Sequence, residues 1–275
     1  MLFYYNIMNN IKLDETKLKV LKCKDKNDSL GYKINRLFDL PCRLLLCGAT
    51  GTGKSNFLVN FFLNENYKYK DIIKGGDCYI FAPAPYADNK MRLIIEEKSI
   101  PESNIFEDFS NELLLMLYDN LVEEYEESIA LKKTPTQKII VLDDLSFSSK
   151  FSDRFNALAK VFQNGRKFLI SCICLTQYYN QTTPAIRLNS SALVLWRTPN
   201  SMLEQIEKEH NFLIGGKKAF FKMIHENVKT KQDFVVINYS NDSNEIYLNK
   251  HMENITPQEN GNIIGDDLKY NIKTT

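Results

Sequence analysis

Gly48, Ala49, Thr50, Gly51, Thr52, Gly53, Lys54 and Ser55 stand in a row in a chain of 275 residues and fit the pattern G-x-x-x-x-G-K-[S/T]. Three glycines let the backbone turn its N–H groups inward as a nest that holds phosphate oxygens. A helix starting directly behind the loop adds the positive end of its dipole. Lys54 would then reach the β- and γ-phosphates of a nucleotide, and the Ser55 hydroxyl would hold Mg²⁺. Asp143 and Asp144 follow the apolar run 139–142, where a carboxylate at a strand end shares that ion. Asp143 is read as the Mg²⁺ ligand and Asp144 as the group that orients or deprotonates an attacking water. Asp144 is shorter than the Glu common at that position, which leaves the base role open. Gln177 closes another apolar run, and a Gln there can bond both a γ-phosphate and the lytic water, sensing whether the phosphate is present.

These residues need a scaffold, and the pattern of apolar runs predicts one. The run 43–47 reads as the strand that enters the loop, and 53–64 as the helix that leaves it. A strand at 77–82 is stopped by Pro83 and Pro85, and helices follow at 88–98 and 111–132. The longer helix spaces Leu113, Leu114, Leu117, Leu121 and Tyr125 by three and four, with Glu123, Glu124, Glu126 and Glu127 toward solvent. The β-branched run 138–142 suits a strand buried on both faces of a parallel sheet. Beyond it the reading is a helix at 151–163, central strands at 167–175 and 192–196, helices at 202–210 and 217–226, and a hairpin pairing 234–239 with 245–248. Strands alternating with helices predict an α/β fold, a P-loop NTPase with a mostly parallel central sheet flanked by helices, plus a C-terminal β-hairpin. Residues 1–36 read as a lead-in, 37–250 as the P-loop domain and 251–275 as a flexible tail.

Composition narrows the classes further. With 44% hydrophobic residues the chain has ample material for a core, which excludes wholesale disorder. Its 35 basic and 34 acidic residues leave a net charge of +1, so a nucleic-acid surface would have to be local. Four of the six cysteines, Cys47, Cys78, Cys172 and Cys174, lie in apolar runs, no C-x-x-C occurs, and His210, His225 and His251 are scattered. A zinc site is therefore not expected, and free thiols imply a reducing compartment. Residues 1–10 lack a basic leader and a small-residue cleavage site, and the apolar stretch 168–175 is too short to span a bilayer. The expectation is a soluble protein with no membrane partner.

Gly165-Arg166-Lys167-Phe168, an apolar strand, and then Leu175-Thr176-Gln177 resemble the G-R-x-x-(strand)-[S/T]-Q element of the FtsK–HerA superfamily of DNA-pumping ATPases. Within that superfamily, residues 176–179, 184–190 and 193–196 make the chain similar to the genome-packaging ATPases of large DNA viruses, the poxvirus type, with relatives in virophages and virus-like transposons. The likeness runs from about Leu40 to about His210. It implies ATP as the nucleotide, a homo-oligomeric ring (pentamer or hexamer) with hydrolysis at subunit interfaces, and double-stranded DNA driven into a preformed capsid. Viral capsid or portal proteins are the implied partners, and the host cytoplasm, in viral factories, with the virion besides, is the implied location. Arg166 matches the position of an arginine finger offered in trans, and Arg187 matches a second family arginine held in reserve. For either, a surface salt bridge is the competing role. DNA contacts are sought at Lys217 and Lys218 or at Lys132 and Lys133, basic pairs that could equally be solvated.

Three rival readings remain. A nucleotide kinase would need an arginine-rich lid, whereas Arg92, Arg154, Arg166, Arg187 and Arg197 are scattered after the loop. A nucleotide-gated binding module would not need Asp143, Asp144 and Gln177 together. A conjugation or chromosome translocase is the nearest neighbour within the superfamily, though such proteins usually carry membrane anchors or further DNA-binding domains.

Overall fold

The structure is a computed structural model and describes residues 30–34, 37–143 and 157–257. In chain order its strands are β1 (Arg43–Cys47), β2 (Cys78–Phe81), β3 (Ile105–Phe106), β4 (Lys138–Leu142), β5 (Ile170–Thr176), β6 (Ala192–Trp196), β7 (Phe234–Asn238) and β8 (Tyr247–Leu248). The helices are α1 (Lys54–Leu63), α2 (Tyr69–Ile72), α3 (Asn89–Lys98), α4 (Asn111–Ala130), α5 (Ala157–Asn164), α6 (Pro184–Asn189), α7 (Asn200–His210) and α8 (Gly216–Asn227). Among the described residues the strands form one eight-stranded sheet in the order β3-β2-β4-β5-β1-β6-β7-β8. The first six are mutually parallel, and β7 and β8 close the sheet antiparallel as the expected hairpin. This is the mostly parallel α/β architecture read from the sequence.

Period-2 alternation along each strand divides the core into two layers. Leu45 and Cys47 of β1 face the layer built with Leu114 and Leu121 of α4, Phe162 of α5, Ile206 of α7 and Phe220 of α8. Leu44 and Leu46 face the layer built with Phe57, Leu58 and Phe62 of α1 and Met91 and Ile94 of α3. With helices on both faces, β4, β5 and β6 are buried along their whole length, which is why they read as continuous apolar runs. Helix starts follow local chemistry: Asp88 accepts from the Lys90 N–H before α3, and Ser110 from the Leu113 N–H before α4.

Several details depart from the sequence reading. The strand expected at 167–175 begins only at Ile170. Gly165–Phe168 form a 3₁₀ turn and Leu169 takes a left-handed φ of 57°. A Cβ on Gly165 would stand 2.9 Å from the Ile170 carbonyl oxygen, so the turn needs glycine there and lifts Arg166 and Lys167 out of the sheet. The helix expected at 151–163 is present from Ala157, its first residues lying outside those described. The pieces β3, α2 and α6 are too short to carry a period and were not foreseen. Past β8 the chain stays paired, with Asn254 bridging Leu248 and the Ile255 N–H donating to the Tyr247 carbonyl at 2.9 Å. No helix among the described residues is long and apolar enough to cross a membrane.

Candidate functional site

The carboxyl ends of parallel strands are where open α/β sheets bind ligands, and the loop after β1 sits at one of them. Its closure needs two left-handed glycines, Gly51 at φ 72° and Gly53 at φ 111°, conformations costly for any L side chain. The Thr52 hydroxyl donates to the Ala49 carbonyl at 2.8 Å and fixes the loop from inside. The Gly48 N–H donates to the Thr176 carbonyl at 3.1 Å and ties the loop to the end of β5. Lys54 is folded back, its Nζ donating to the carbonyls of Gly48 at 2.5 Å and Ala49 at 3.2 Å.

Thr50, Gly51, Gly53, Lys54, Ser55, Asp143 and Gln177 line one cavity of about 330 Å³. The strand order explains the convergence. β5 pairs with β1 on one side and β4 on the other, so Gln177 follows the strand next to the loop strand and Asp143 the strand beyond it. The Asp143 N–H donates to the Phe81 carbonyl at 2.8 Å, which holds that strand end. The donor set fits Mg²⁺, since Ser55 and Asp143 offer a hydroxyl and a carboxylate to one space and leave positions for waters and phosphate oxygens. Asp144 lies outside the described residues.

The two arginines behave differently. Arg166 is exposed in the turn before β5, at the opposite end of that strand from Gln177. Seven strand residues span roughly 23 Å, so Arg166 cannot reach this cavity. It stands near Arg43, whose guanidinium pKa is lowered first by burial and then by the Arg166 charge. Arg187 is 7% exposed. Its Nε and Nη2 each donate to a Glu209 carboxylate oxygen at 2.9 Å, its Nη1 donates to the Thr182 carbonyl at 2.5 Å, and its guanidinium lies 4.8 Å from the Tyr179 ring centre. Burial alone would lower its pKa, but the Glu209 bonds and charge outweigh it and the net shift is upward. Of the two roles considered for Arg187, the geometry within the chain is that of an ion pair, with Glu209, and the side chain does not line the cavity. Tyr179 is buried beside it and donates to Glu209 at 2.6 Å, while Tyr178 is exposed.

Four residues around the cavity carry no motif and escaped the sequence reading. Asp88 and Lys90, at the start of α3, and Gln232 line it. Lys231 Nζ would be 3.0 Å from a Cβ on Gly51, so a second ammonium sits against the loop. The segment carrying it is pinned by Asp233, which accepts from the N–H groups of Lys229 at 3.1 Å and Thr230 at 2.7 Å and from Lys250 Nζ at 2.8 Å. The Lys250 bond, with the Thr230 N–H, holds the Asp233 carboxyl down to about 2. No motif at 229–233 marks this approach. The basic pair at Lys217 and Lys218 opens α8, and Lys217 is paired with Glu204 at 2.8 Å. The described cysteines are free and buried, and burial pushes the Cys42, Cys47, Cys78 and Cys174 thiols up to about 12.

No curated protein matches the chain. Among solved structures it is similar to the genome packaging NTPase B204 from Sulfolobus turreted icosahedral virus 2 in complex with AMP, at 13% identity and a TM-score of 0.51, over 75% of this chain and 95% of that one. It is also similar to EssC (ATPases 2 and 3) from Geobacillus thermodenitrificans, at 12% identity and a TM-score of 0.52, over 80% of this chain and 41% of that one. At these identities the likenesses establish the fold. The poxvirus A32 protein family matches residues 30–269, nearly the whole chain and the full reach of the motifs from the phosphate loop to Gln177, and the chain belongs to that family.

Proposed function

We propose that the protein is an ATP-hydrolysing motor that drives double-stranded DNA into a preformed viral capsid, working as a ring whose active sites are completed between subunits. The observation that carries the reading is a phosphate loop, Asp143 and Gln177 on one cavity, with Arg166 at the far end of the same strand as Gln177. Such a cavity can bind and sense a γ-phosphate, and among the described residues no arginine lines it to neutralise the charge that develops in transfer. Family membership and the printed role of B204 support the packaging assignment.

In this reading Lys54 leaves the Gly48 and Ala49 carbonyls for the β- and γ-phosphates. Ser55 and Asp143 hold Mg²⁺, which when bound neutralises charge on the phosphate oxygens. Gln177 positions the water, and Asp144 accepts its proton. Arg166 reaches the γ-phosphate of the adjacent subunit, where such a finger is worth about 10³–10⁵ in turnover.

The test is ATPase turnover, with and without double-stranded DNA, for wild type, Lys54→Ala and Arg166→Ala. Turnover raised by DNA and lost in both variants is expected; no hydrolysis under any condition would overturn the motor. Mixing the two variants should restore part of the activity, because one supplies the finger and the other an intact loop. Absence of any rescue counts against action in trans.

A further inference from the structure

A cavity of about 690 Å³, against about 330 Å³ for the phosphate cavity, opens between the end of β6, the start of α7 and the end of α8. Its polar lining is made of hydrogen-bond donors: Arg197 and Thr198 after β6, Asn200 on α7, His225 on α8 and Lys229 just beyond it. No carboxylate lines it among the described residues. Arg197 and Lys229 are exposed, and neither side chain has an ion-pair partner among the described residues. Other lysines of α8 are matched, Lys217 with Glu204 at 2.8 Å and Lys222 with Glu226 at 3.9 Å. In a chain with 35 basic and 34 acidic residues, this is a spot where the balance fails locally. Short stretches of chain join it to the phosphate loop. Arg197 follows Trp196, whose Cβ would stand 2.8 Å from a Cβ on Gly48, and Lys229 lies just before Lys231, which abuts Gly51.

Two like charges on one cavity, with no carboxylate to offset them, leave a positive potential that calls for an anion. Arginine, lysine, threonine and asparagine are the side chains that bond the phosphate oxygens of a duplex without reading its bases. No Phe, Tyr or Trp lines the cavity, so the stacking platform that a single strand uses is missing among the described residues. A packaging motor must take every sequence, and this donor set is indifferent to sequence. An acidic protein segment would meet the same cations, but the duplex is the polyanion on which such a motor acts. We propose that this cavity holds backbone phosphates of double-stranded DNA, an assignment that rests on the motor reading above and gives the DNA a place on the chain. It sets the grip beside the phosphate loop, at neither of the basic pairs 132–133 and 217–218.

The test is fluorescence anisotropy of a labelled duplex of mixed sequence, titrated with the full chain over a range of salt concentrations. Arg197→Gln combined with Lys229→Gln removes two charges from exposed positions. It should lower the slope of log affinity against log salt by about 1.8, a loss that grows to roughly sixtyfold as salt falls from about 1 M to about 0.1 M. Arg197→Lys keeps its charge and should keep the slope. Lys132→Gln with Lys133→Gln removes the same charge from the segment after α4 and should leave the slope as in wild type. If the first double variant loses its far-ultraviolet spectrum, Lys229→Gln alone decides, with an expected fall of about 0.9. An unchanged slope without the Arg197 and Lys229 charges, or an equal fall without Lys132 and Lys133, overturns this cavity as the DNA site and leaves the motor standing. Loss of self-association in sedimentation, with the duplex slope intact, assigns the cavity to an acidic face of another copy and overturns it likewise. Failure of wild type to bind duplex at all overturns the motor reading, and this site with it.

Discussion

Replacing Arg187 by alanine tests whether that arginine serves structure or chemistry. The side chain makes three N–H bonds, two of them to the Glu209 carboxylate, and lies over the Tyr179 ring. Removing it leaves Glu209 facing the Tyr179 hydroxyl without its cation. Breaking a buried pair from one side costs about 3–5 kcal/mol, because a charge is stranded. The Glu209 side chain keeps 23% exposure, so water recovers some of that and the lower figure, about 3 kcal/mol, applies. With a urea dependence of about 3 kcal/mol per molar, the unfolding midpoint should fall by about 1 M. Urea titration followed by circular dichroism reads this directly. Arg187→Met with Glu209→Leu should recover much of the loss, since it removes both charges. If Arg187→Ala unfolds at the wild-type midpoint yet abolishes turnover, the ion pair is not structural and a catalytic role returns.

Other expectations follow from single groups. Burial lowers His210 from 6.5 to about 4, with Glu209 opposing and Arg187 adding to the shift. The unfolded chain therefore takes up a proton first, and this contribution is intact above pH 6.5 and lost as pH falls toward 4. By pH 5 the loss is roughly 2 kcal/mol, so the urea midpoint of His210→Gln should depend less on pH between 7.5 and 5 than that of wild type; parallel profiles would refute it. Lys231→Ala should weaken ATP binding roughly tenfold, the worth of one charge-assisted bond, and Lys231→Arg should keep it. Equal affinity for all three proteins would remove Lys231 from the site. Gly53→Ala forces a side chain to φ 111° and should abolish ATP binding with the far-ultraviolet spectrum unchanged; retained binding would mean that the loop does not need that conformation.

What could be read from the sequence, and what could not, divides along physical lines. β4 and β5 are buried on both faces, so they stand out as apolar runs, and Asp143 and Gln177 stand out as the polar residues that end them. Glycine at 51 and 53 announced the loop because the turn tolerates little else. Strand order has no local signature, since a crossover joins distant segments, and the full order β3-β2-β4-β5-β1-β6-β7-β8 emerges only in the fold. The partner of Arg187 is hidden for a similar reason: Glu209 is 22 residues away, on α7. Lys231 and Gln232 act by packing against the loop from a turn before the hairpin, and nothing in their neighbours marks that approach.

Gln177 and Arg166 flank opposite ends of β5, a strand buried on every residue and hydrogen-bonded along both edges. Such a strand has almost no compliance, because stretching or sliding it would break two ladders at once. Its ends are therefore mechanically one object. The turn that Gly165 makes possible sets Arg166 directly at the end of that stiff strand, so the position of the arginine is tied to the sheet by a single glycine.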